Sequence, residues 1–572
     1  MNLENKKPKK KGSKIKKVFT EKKPLAIGGL IAVVALAGIF GGIYIFNLLP
    51  EEDIFIYGLG NGFYTVDPLT TANEEAFLII DHVAEGLFDY NVTHGETVII
   101  PKLATNFNWS LDGLNVTCTL RENVIFHDGT PFDATAVKWN IDRISRLPLN
   151  TTYGFLWQLS DGRTIINKTI IINEYTIRFV LNDPYVPFLS LLSSRMAYMF
   201  SPNSTPEDDY IDITTGILVG TGPFIYDSCK FTVDVIGKFI TSVTLRSNPN
   251  YWAEKAKIEK IILRYFSNST LRVEAMVSGE IDGTWAPYGE LETFQNTPGL
   301  QLVNATSLTF WDLIMNNEII NVTMRKAISH AFNYSIFLGE LSTRCLSPIM
   351  PRMLYSKWGA FNVPNYNIQT ARQVLKDVGW NGTTNLTANS NISSGNEWEQ
   401  LVIDEKPLAT YNFTYIAGWE YYETIFNITS ESLKQIGVKL EAAHVSGVEY
   451  DNILFHPELH RHKIELLFVG WHAPDLDPHN TLRLFNTKEP SYNIGQVNDT
   501  QVQQWIEAAV IEVNKTKREN LYYNIQQHLI EELYPVVWVD VGIYFDVFGP
   551  NVRGIETISN PDKFVMKGVY FE

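Results

Sequence analysis

Cysteine is nearly absent: Cys118, Cys229 and Cys345 are the only three in 572 residues. So few exclude a disulfide scaffold, and their spacing excludes a thiolate zinc centre. At most one bridge can form, leaving one thiol over. Positive charge is scarce beyond the first 24 residues. Those carry ten lysines against Glu4 and Glu21, a net of +8, while the whole chain stands at −16, so the remainder carries −24. A body that acidic repels phosphate backbones, which excludes nucleic acid as a natural partner. Catalytic signatures are missing too: there is no GxSxG elbow, no HExxH and no Walker A loop. What is present is ordinary globular material, 45% hydrophobic, 13% aromatic and 19% charged. That excludes a mainly disordered or fibrous chain. At about 150 residues per domain, the length allows three or four domain-sized units.

Long apolar runs are absent with one exception. Leu25–Phe46 is free of charge for 22 residues. As a helix it would extend about 33 Å, enough to cross a hydrocarbon core of about 30 Å. The lysines of Lys6–Lys23 precede it and Glu51-Glu52-Asp53 follow it. That asymmetry predicts a single-pass anchor at the cell membrane, with residues 1–24 as a basic cytoplasmic tail and the body outside. A cleaved signal peptide has a shorter apolar region and a small-residue cleavage site, which Asn47-Leu-Leu-Pro50 does not supply. Gly38 and Gly42 form a GxxxG pair, read equally as a helix-pairing face or as small residues in an apolar run. Downstream lie 17 Asn-x-Ser/Thr sequons, among them Asn91, Asn108, Asn150, Asn268, Asn385 and Asn498. Chance would give roughly six, so the excess predicts an extracellular glycoprotein.

The outer chain shows no fixed-period repeat. Strand patterns run over Val116–Arg121, Thr169–Leu181, Ser242–Arg246, Ile258–Phe266 and Ile464–Val469. In the first, Val116, Cys118 and Leu120 alternate with polar residues, which makes Cys118 a small core residue. Asp133 is the expected N-cap of a helix over Ala134–Arg146, Gly279 reads as a helix C-cap, and Gln501–Leu533 supplies two long helical stretches. Strands and helices mixed in this way predict an α/β body. The Asn-, Ser- and Gly-rich stretch Asn381–Asn396 reads as a surface loop.

Ten short blocks, in order, carry a resemblance. They include Val66-Asp67-Pro68, Val83-Ala-Glu-Gly-Leu-Phe-Asp-Tyr90, Pro101-Lys-Leu-Ala104, Phe126–Asn140, Gly220-Thr-Gly-Pro-Phe224 and Asn248-Pro-Asn-Tyr-Trp252. Ser278–Asp282, Met324–Phe332, Ala371–Gly379 and Arg518–Tyr522 with Gly554 complete the series. From about Tyr64 to Phe571 the chain resembles the extracytoplasmic solute-binding proteins of ABC importers, in the oligopeptide- and dipeptide-binding class. The resemblance implies a two-lobe, periplasmic-binding-protein-like fold of class II with an extra inserted domain. Lobe I would gather 51–90, 215–304 and 536–572, the inserted domain 91–214, and lobe II 305–535. The chain would cross between lobes near Val303–Ser307 and Tyr534–Val539. It also implies no catalysis and no cofactor, an ABC permease as partner, and a monomeric ectodomain that closes on its ligand.

Candidate ligand contacts follow from the same resemblance. Gly470–Pro478 is similar to the segment that faces the cleft from lobe II, where peptide binders place an acid against the ligand's amino group. Aligned without a gap that acid falls on Pro474, with Asp475 one place later as the substitute. Trp471 and His472 flank it. Thr71 and Asn73 follow Asp67-Pro68, where relatives touch ligand from lobe I, and Trp285 and Tyr288 follow the Gly279–Asp282 motif. Trp419 and Tyr421 cluster around Glu420, and aromatic rings of this kind cover peptide side chains or stack on sugars. His456, His460 and His462 are weak metal candidates, since the first two are four apart. The order His-Pro-Glu-Leu-His, however, is not that of a zinc protease. Oligopeptide capture is thus the leading expectation. Oligosaccharide or metal-complex binding is the alternative within the class, and an extracellular metallopeptidase the alternative outside it. A signalling receptor lacks the cytosolic length for an effector domain.

Overall fold

A computed structural model describes residues 53–572 except 72, 94–95, 150, 152, 288, 340, 380–394, 457–462, 474, 491 and 556–563. The expected span Leu25–Phe46, the cytoplasmic tail and most of the loop Asn381–Asn396 therefore lie outside the described residues. Among the described residues no helix is long and apolar enough to cross a membrane.

The described residues begin with β1 (Ile54–Leu59) and pass through a hairpin of β2 (Phe88–Thr93) and β3 (Glu96–Pro101). A four-stranded antiparallel sheet follows, built from β4 (Ala104–Trp109), β5 (Asn115–Leu120), β6 (Ile166–Asn173) and β7 (Thr176–Leu181) in the order β4-β5-β7-β6. Cys118 lies in the core of this sheet, fully buried. The stretch Thr169–Leu181, expected as one strand, is a hairpin: the Asn173 side chain accepts from the Tyr175 backbone N–H at 3.0 Å and turns the chain. Asp133 caps the helix Ala134–Arg146 as expected, accepting from the N–H groups of Thr135 and Ala136.

The main sheet has eleven strands. After β1 its members are β8 (Phe224–Val233), β9 (Lys238–Ser247), β10 (Lys260–Tyr265), β11 (Gly283–Trp285), β12 (Gln301–Met315), β13 (Ser342–Arg344), β14 (Ala409–Ile416), β15 (Val438–Val445), β16 (Leu466–His472) and β17 (Val536–Phe548). Their order is β15-β14-β16-β12-β17-β11-β1-β10-β9-β8, with β13 on β17. Strands β12 and β17 are thus shared: their outer ends pair with each other and with the β11 side, their inner ends with β13 and β16. The β12–β17 ladder breaks between Thr306↔Ile543 and Phe310↔Val541, where Ser307–Thr309 bulge opposite Gly542. This places the crossing of β12 beside the expected Val303–Ser307. Its partner β17 passes this bulge at Val541–Ile543, and a second irregularity, between Trp311↔Asp540 and Asp312↔Trp538, lies at the end of the expected return stretch Tyr534–Val539.

Several sequence blocks owe their residue types to buried polar contacts. Glu85 is buried and accepts from Thr221 Oγ1 (2.9 Å), Tyr251 OH (2.7 Å) and Trp252 Nε1 (2.8 Å), with Lys102 Nζ at 3.4 Å. Four separated blocks meet on that one carboxylate. Asp67 pairs with Arg143 at 3.0 Å and caps Leu69 and Ile211, all buried. Gly220 passes so close to the preceding chain that a Cβ there would lie 2.2 Å from the Val83 carbonyl oxygen. All three cysteines are free thiols, Cys118 and Cys345 buried and Cys229 half-buried, so the one possible bridge does not form.

Glu85→Ala would leave two hydroxyls and an indole N–H without their acceptor, and Lys102 with Asp89 alone. It is expected to cost about 3 kcal/mol or more, with Glu85→Gln less harmful because one acceptor oxygen remains. Urea unfolding midpoints of the two variants measure this.

Candidate functional site

Side chains alternate across a strand, so residues two apart share a face. On β1 these are Tyr57 and Leu59, and on β17 Tyr544 and Asp546. Trp285 of β11 lies between the strands, opposite Asp546 in register. Together with Phe564 they wall a cavity of about 400 Å³. The helix Glu74–Val83 points its N-terminal turn at the same space and contributes Glu74, Glu75, Leu78 and Asp81 to the lining. Arg195 and Asn61 complete the near side, and His472 of β16 reaches in from the other half of the sheet. Groups from both halves and from a shared strand therefore surround one volume of ligand size.

The charges in the cavity are unequally compensated. Asp81 is held bidentately by Arg195 at 2.9–3.1 Å and also accepts from Tyr198 OH at 3.0 Å. Glu74 lies 3.6 Å from Arg195 and 3.8 Å from His472 Nε2, a contact across the two halves. His472 is tied at Nδ1 to Thr309 Oγ1 in the strand break (3.1 Å), and burial pushes its pKa down, which favours the neutral ring. Glu75 accepts from the backbone and side-chain N–H groups of Asn61, and burial raises its pKa. Asp546 accepts from Tyr57 OH at 2.6 Å, and burial pushes its carboxyl up to about 6. Arg272 stacks its guanidinium 4.2 Å from the Trp285 ring centroid, and neither its Nε nor its Nη1 has a hydrogen-bond partner among the described residues.

The halves also meet outside the cavity. Thr97 Oγ1 donates to the Arg352 carbonyl (2.5 Å), the Val186 N–H to the Val510 carbonyl (2.7 Å), and Ser190 Oγ to Asp477 (3.3 Å). Asp477 itself caps the helix Pro478–Leu482 and is bound by Arg518 at 2.8 and 3.0 Å, entirely buried.

Of the residues singled out by sequence, Asn73, Trp285 and His472 line the cavity. Asn73 does so with its amide committed: it caps the helix through Ala76 N–H and donates to the Gly62 carbonyl. Thr71 is buried in the preceding turn, where its hydroxyl accepts from the Asn73 N–H. Trp471 faces the opposite side of the sheet from His472, as strand alternation requires, and its Nε1, in a small void beside Asp312, has no partner among the described residues. The preceding Gly470 leaves room for Trp311, whose ring would lie 2.9 Å from a Cβ there. Trp419 and Tyr421 lie at the surface, 59% and 46% exposed, outside the cavity lining. Asp475 is buried, with its oxygens taken by the Asp477 N–H (3.1 Å) and Asn480 Nδ2 (3.0 Å). Tyr288, His460 and His462 lie outside the described residues, and His456 is exposed at the end of the helix Gly447–Phe455. Among the described residues no group of three His, Cys, Asp or Glu side chains is placed to hold a metal ion.

Tyr57, Glu75, Asp81, Arg195, Tyr544, Asp546 and Phe564 were not foreseen. One signal was available: Asp546 interrupts the apolar run Val536–Phe548, and an acid inside such a strand is either paired or functional.

Residues 98–493 match the family described as bacterial extracellular solute-binding proteins, family 5 Middle. The chain is 23% identical over 539 residues to the glutathione-binding protein GsiB of Salmonella paratyphi A, covering 91% of this chain and 95% of that protein. Its fold is similar to that of the ABC transporter substrate-binding protein CtaP of Listeria monocytogenes, with a TM-score of 0.73, 16% identity, and 91% and 99% of the two chains covered. It is also similar to DppA of Helicobacter pylori, solved with the peptide STSA, at a TM-score of 0.65, 22% identity, and 91% and 98% coverage. The α/β two-lobe architecture is that of the periplasmic binding proteins.

Burial and the neighbouring Asp477 charge push the Asp475 carboxyl up to about 7. An unfolded aspartate titrates near 3.9, so the folded chain holds this proton more tightly, and its stability is expected to fall as pH rises from about 4 to 7. Asp475→Asn should flatten that fall, by on the order of 2 kcal/mol at pH 8. Asn480, whose Oδ1 has no partner, can turn over to receive the new amide. Urea midpoints at pH 5 and pH 8 decide it.

Proposed function

The chain belongs to the bacterial extracellular solute-binding proteins of family 5, and from that premise we propose that it captures small peptides between its two halves and presents them to the permease of an ABC importer. The observation that carries this reading is the joint lining of one cavity by β1, β11, the shared strand β17 and His472 of the far half. A ligand there contacts both halves only when they are apposed, so it stabilises the closed state by its differential affinity. GsiB is named for glutathione and DppA was solved with a peptide, which favours peptides as the cargo.

The same reading places the protein at the cell membrane. Leu25–Phe46 serves as the uncleaved anchor, residues 1–24 face the cytoplasm, and the body acts outside as a monomer. The sequons support an outer location. Of the 13 sequon asparagines that the structure describes, none is buried. The five fully buried asparagines Asn140, Asn248, Asn316, Asn486 and Asn493 all lie outside sequons. Asn268, Asn321, Asn333 and Asn514 cap helices through their side-chain oxygen, which leaves the amide nitrogen for a glycan.

Peptides of two to ten residues should raise the melting temperature of the full-length chain by several degrees, because binding at 100 times Kd adds about 2.7 kcal/mol to the folded state. Scattering of the same samples should show a smaller radius of gyration with ligand than without. Stability and radius unmoved by every peptide would overturn the proposal. Membrane pellets washed with alkaline carbonate should retain the full-length chain and release one lacking residues 1–50.

A further inference from the structure

The hairpin of β8 and β9 runs past the rest of the main sheet. Strand β9 pairs with β10 only from Ser242 to Arg246, whereas its pairing with β8 continues to Val233↔Lys238. The four residues from Lys238 to Thr241 therefore carry the turn about 13 Å beyond the β10 ladder. At that turn Val233, Val235 and Ile236 are 75%, 103% and 74% exposed, three of the five most exposed large apolar side chains among the described residues. Turns are ordinarily polar, and aliphatic groups crowded on a protruding tip mark a contact. The one charge at the turn is withdrawn: Asp234 accepts from Tyr64 OH (2.7 Å) and from the N–H groups of Ile236 (2.8 Å) and Gly237 (3.0 Å). Lys238 is drawn back onto Asp212 and Thr214. Between the aliphatic tip and these charges stand aromatic rings, Phe231 and Tyr64 partly exposed and Phe239 edge-on to Tyr64 at 5.4 Å. Aliphatic groups first, aromatic rings next and charges last is the layering that suits the boundary of a bilayer.

We propose that the β8–β9 tip dips into the outer face of the lipid bilayer, with Val233, Val235 and Ile236 among the acyl chains and the aromatic rings at headgroup level. This rests on the membrane placement proposed above and adds to it a second point of attachment, which holds the first half in one orientation to the surface. Two features of the chain favour a bilayer as what covers the tip. Seven residues separate Phe46, the end of the proposed anchor, from Ile54, so the start of β1 stays within about 25 Å of the membrane. The tip stands about 30 Å from Ile54 along the strands, and a half held that close reaches the bilayer with its hairpin when the strands lie oblique to the surface. A glycan beside the tip would hold it off, and none of the 17 sequons falls between residues 206 and 267.

The test uses the full-length chain with Cys229→Ser, reconstituted in phosphatidylcholine vesicles and carrying one fluorescent label through Val235→Cys or, on the other half, through the exposed Val448→Cys. Doxyl groups on the acyl chains should quench the label at 235 and leave that at 448 bright, while iodide in the water does the reverse. Ile236→Asp in the chain labelled at 235 is expected to lower the ratio of seated to free tip about tenfold, by removing one buried aliphatic group and adding a charge. Val233→Asp on top of it should abolish quenching by the doxyl lipid. Both side chains are exposed, so melting temperatures should stay at the wild-type value. Iodide reaching 235 as freely as 448, or lipid quenching that survives both aspartates, overturns the tip contact. Disulfide-linked pairs through Val235→Cys without lipid quenching assign the tip to a second copy and overturn it too. A chain retained through alkaline carbonate but not quenched by lipid at 235 overturns the tip contact and leaves the anchor standing. Lipid quenching at 235 in a chain that carbonate releases overturns the anchor and supports the tip. Neither retention nor quenching overturns both.

Discussion

Two strands that belong to both halves set the terms for everything else in this molecule. Strands β12 and β17 run 15 and 13 residues, and their ladder is regular except at two irregularities, between Thr306 and Phe310 and between Trp311 and Asp312. The first and wider of these is the weakest point of the ladder, the kind of place where hinge closure bends a sheet. The wall of the cavity is built from the same strands. Tyr544 and Asp546 lie just outside the break, and Thr309 within it holds the His472 ring. A group seated on these side chains therefore acts on the bend directly, without relay through intervening packing.

The remaining architecture is held by buried carboxylates used as collectors of hydrogen bonds. Glu85 gathers donors from three distant parts of the sequence, Asp67 joins the first loop to Arg143, and Asp477 joins the helix Pro478–Leu482 to Arg518. Each is buried and accepts several hydrogen bonds, the condition under which such groups fix a unique arrangement instead of destabilising it. Asp312 differs: it is buried, neither oxygen has a hydrogen-bond partner among the described residues, and its pKa is raised well above normal by desolvation first and by Asp540 second. It sits on β12 a few residues inside the break.

Much of this was legible in the chain. The α/β character, the helix cap at Asp133, the strand around Cys118 and the left-handed Gly279 followed from local pattern and turn chemistry. The site was only partly legible. His472 and Trp285 emerged from motif position, whereas Asp475, at the motif's acidic place, is locked by Asn480 and a backbone N–H. Trp419 and Tyr421 misled because aromatic clustering in sequence does not tell a cleft from an exposed helix start. Tyr57 and Asp546, 489 positions apart, come together only because β11 pairs with both β1 and β17, and no local pattern encodes that register.

The thiols have a practical consequence. Cys118 and Cys345 are sealed in the core, and burial pushes the Cys118 thiol up to about 12 and the Cys345 thiol higher still, so neither supplies thiolate. Cys229, half-buried on β8, is the one sulfur a maleimide dye can reach. The native chain thus carries a single fluorophore handle on its first half, and one engineered cysteine on the other half would convert it into an optical gauge of opening, without any native cysteine being removed.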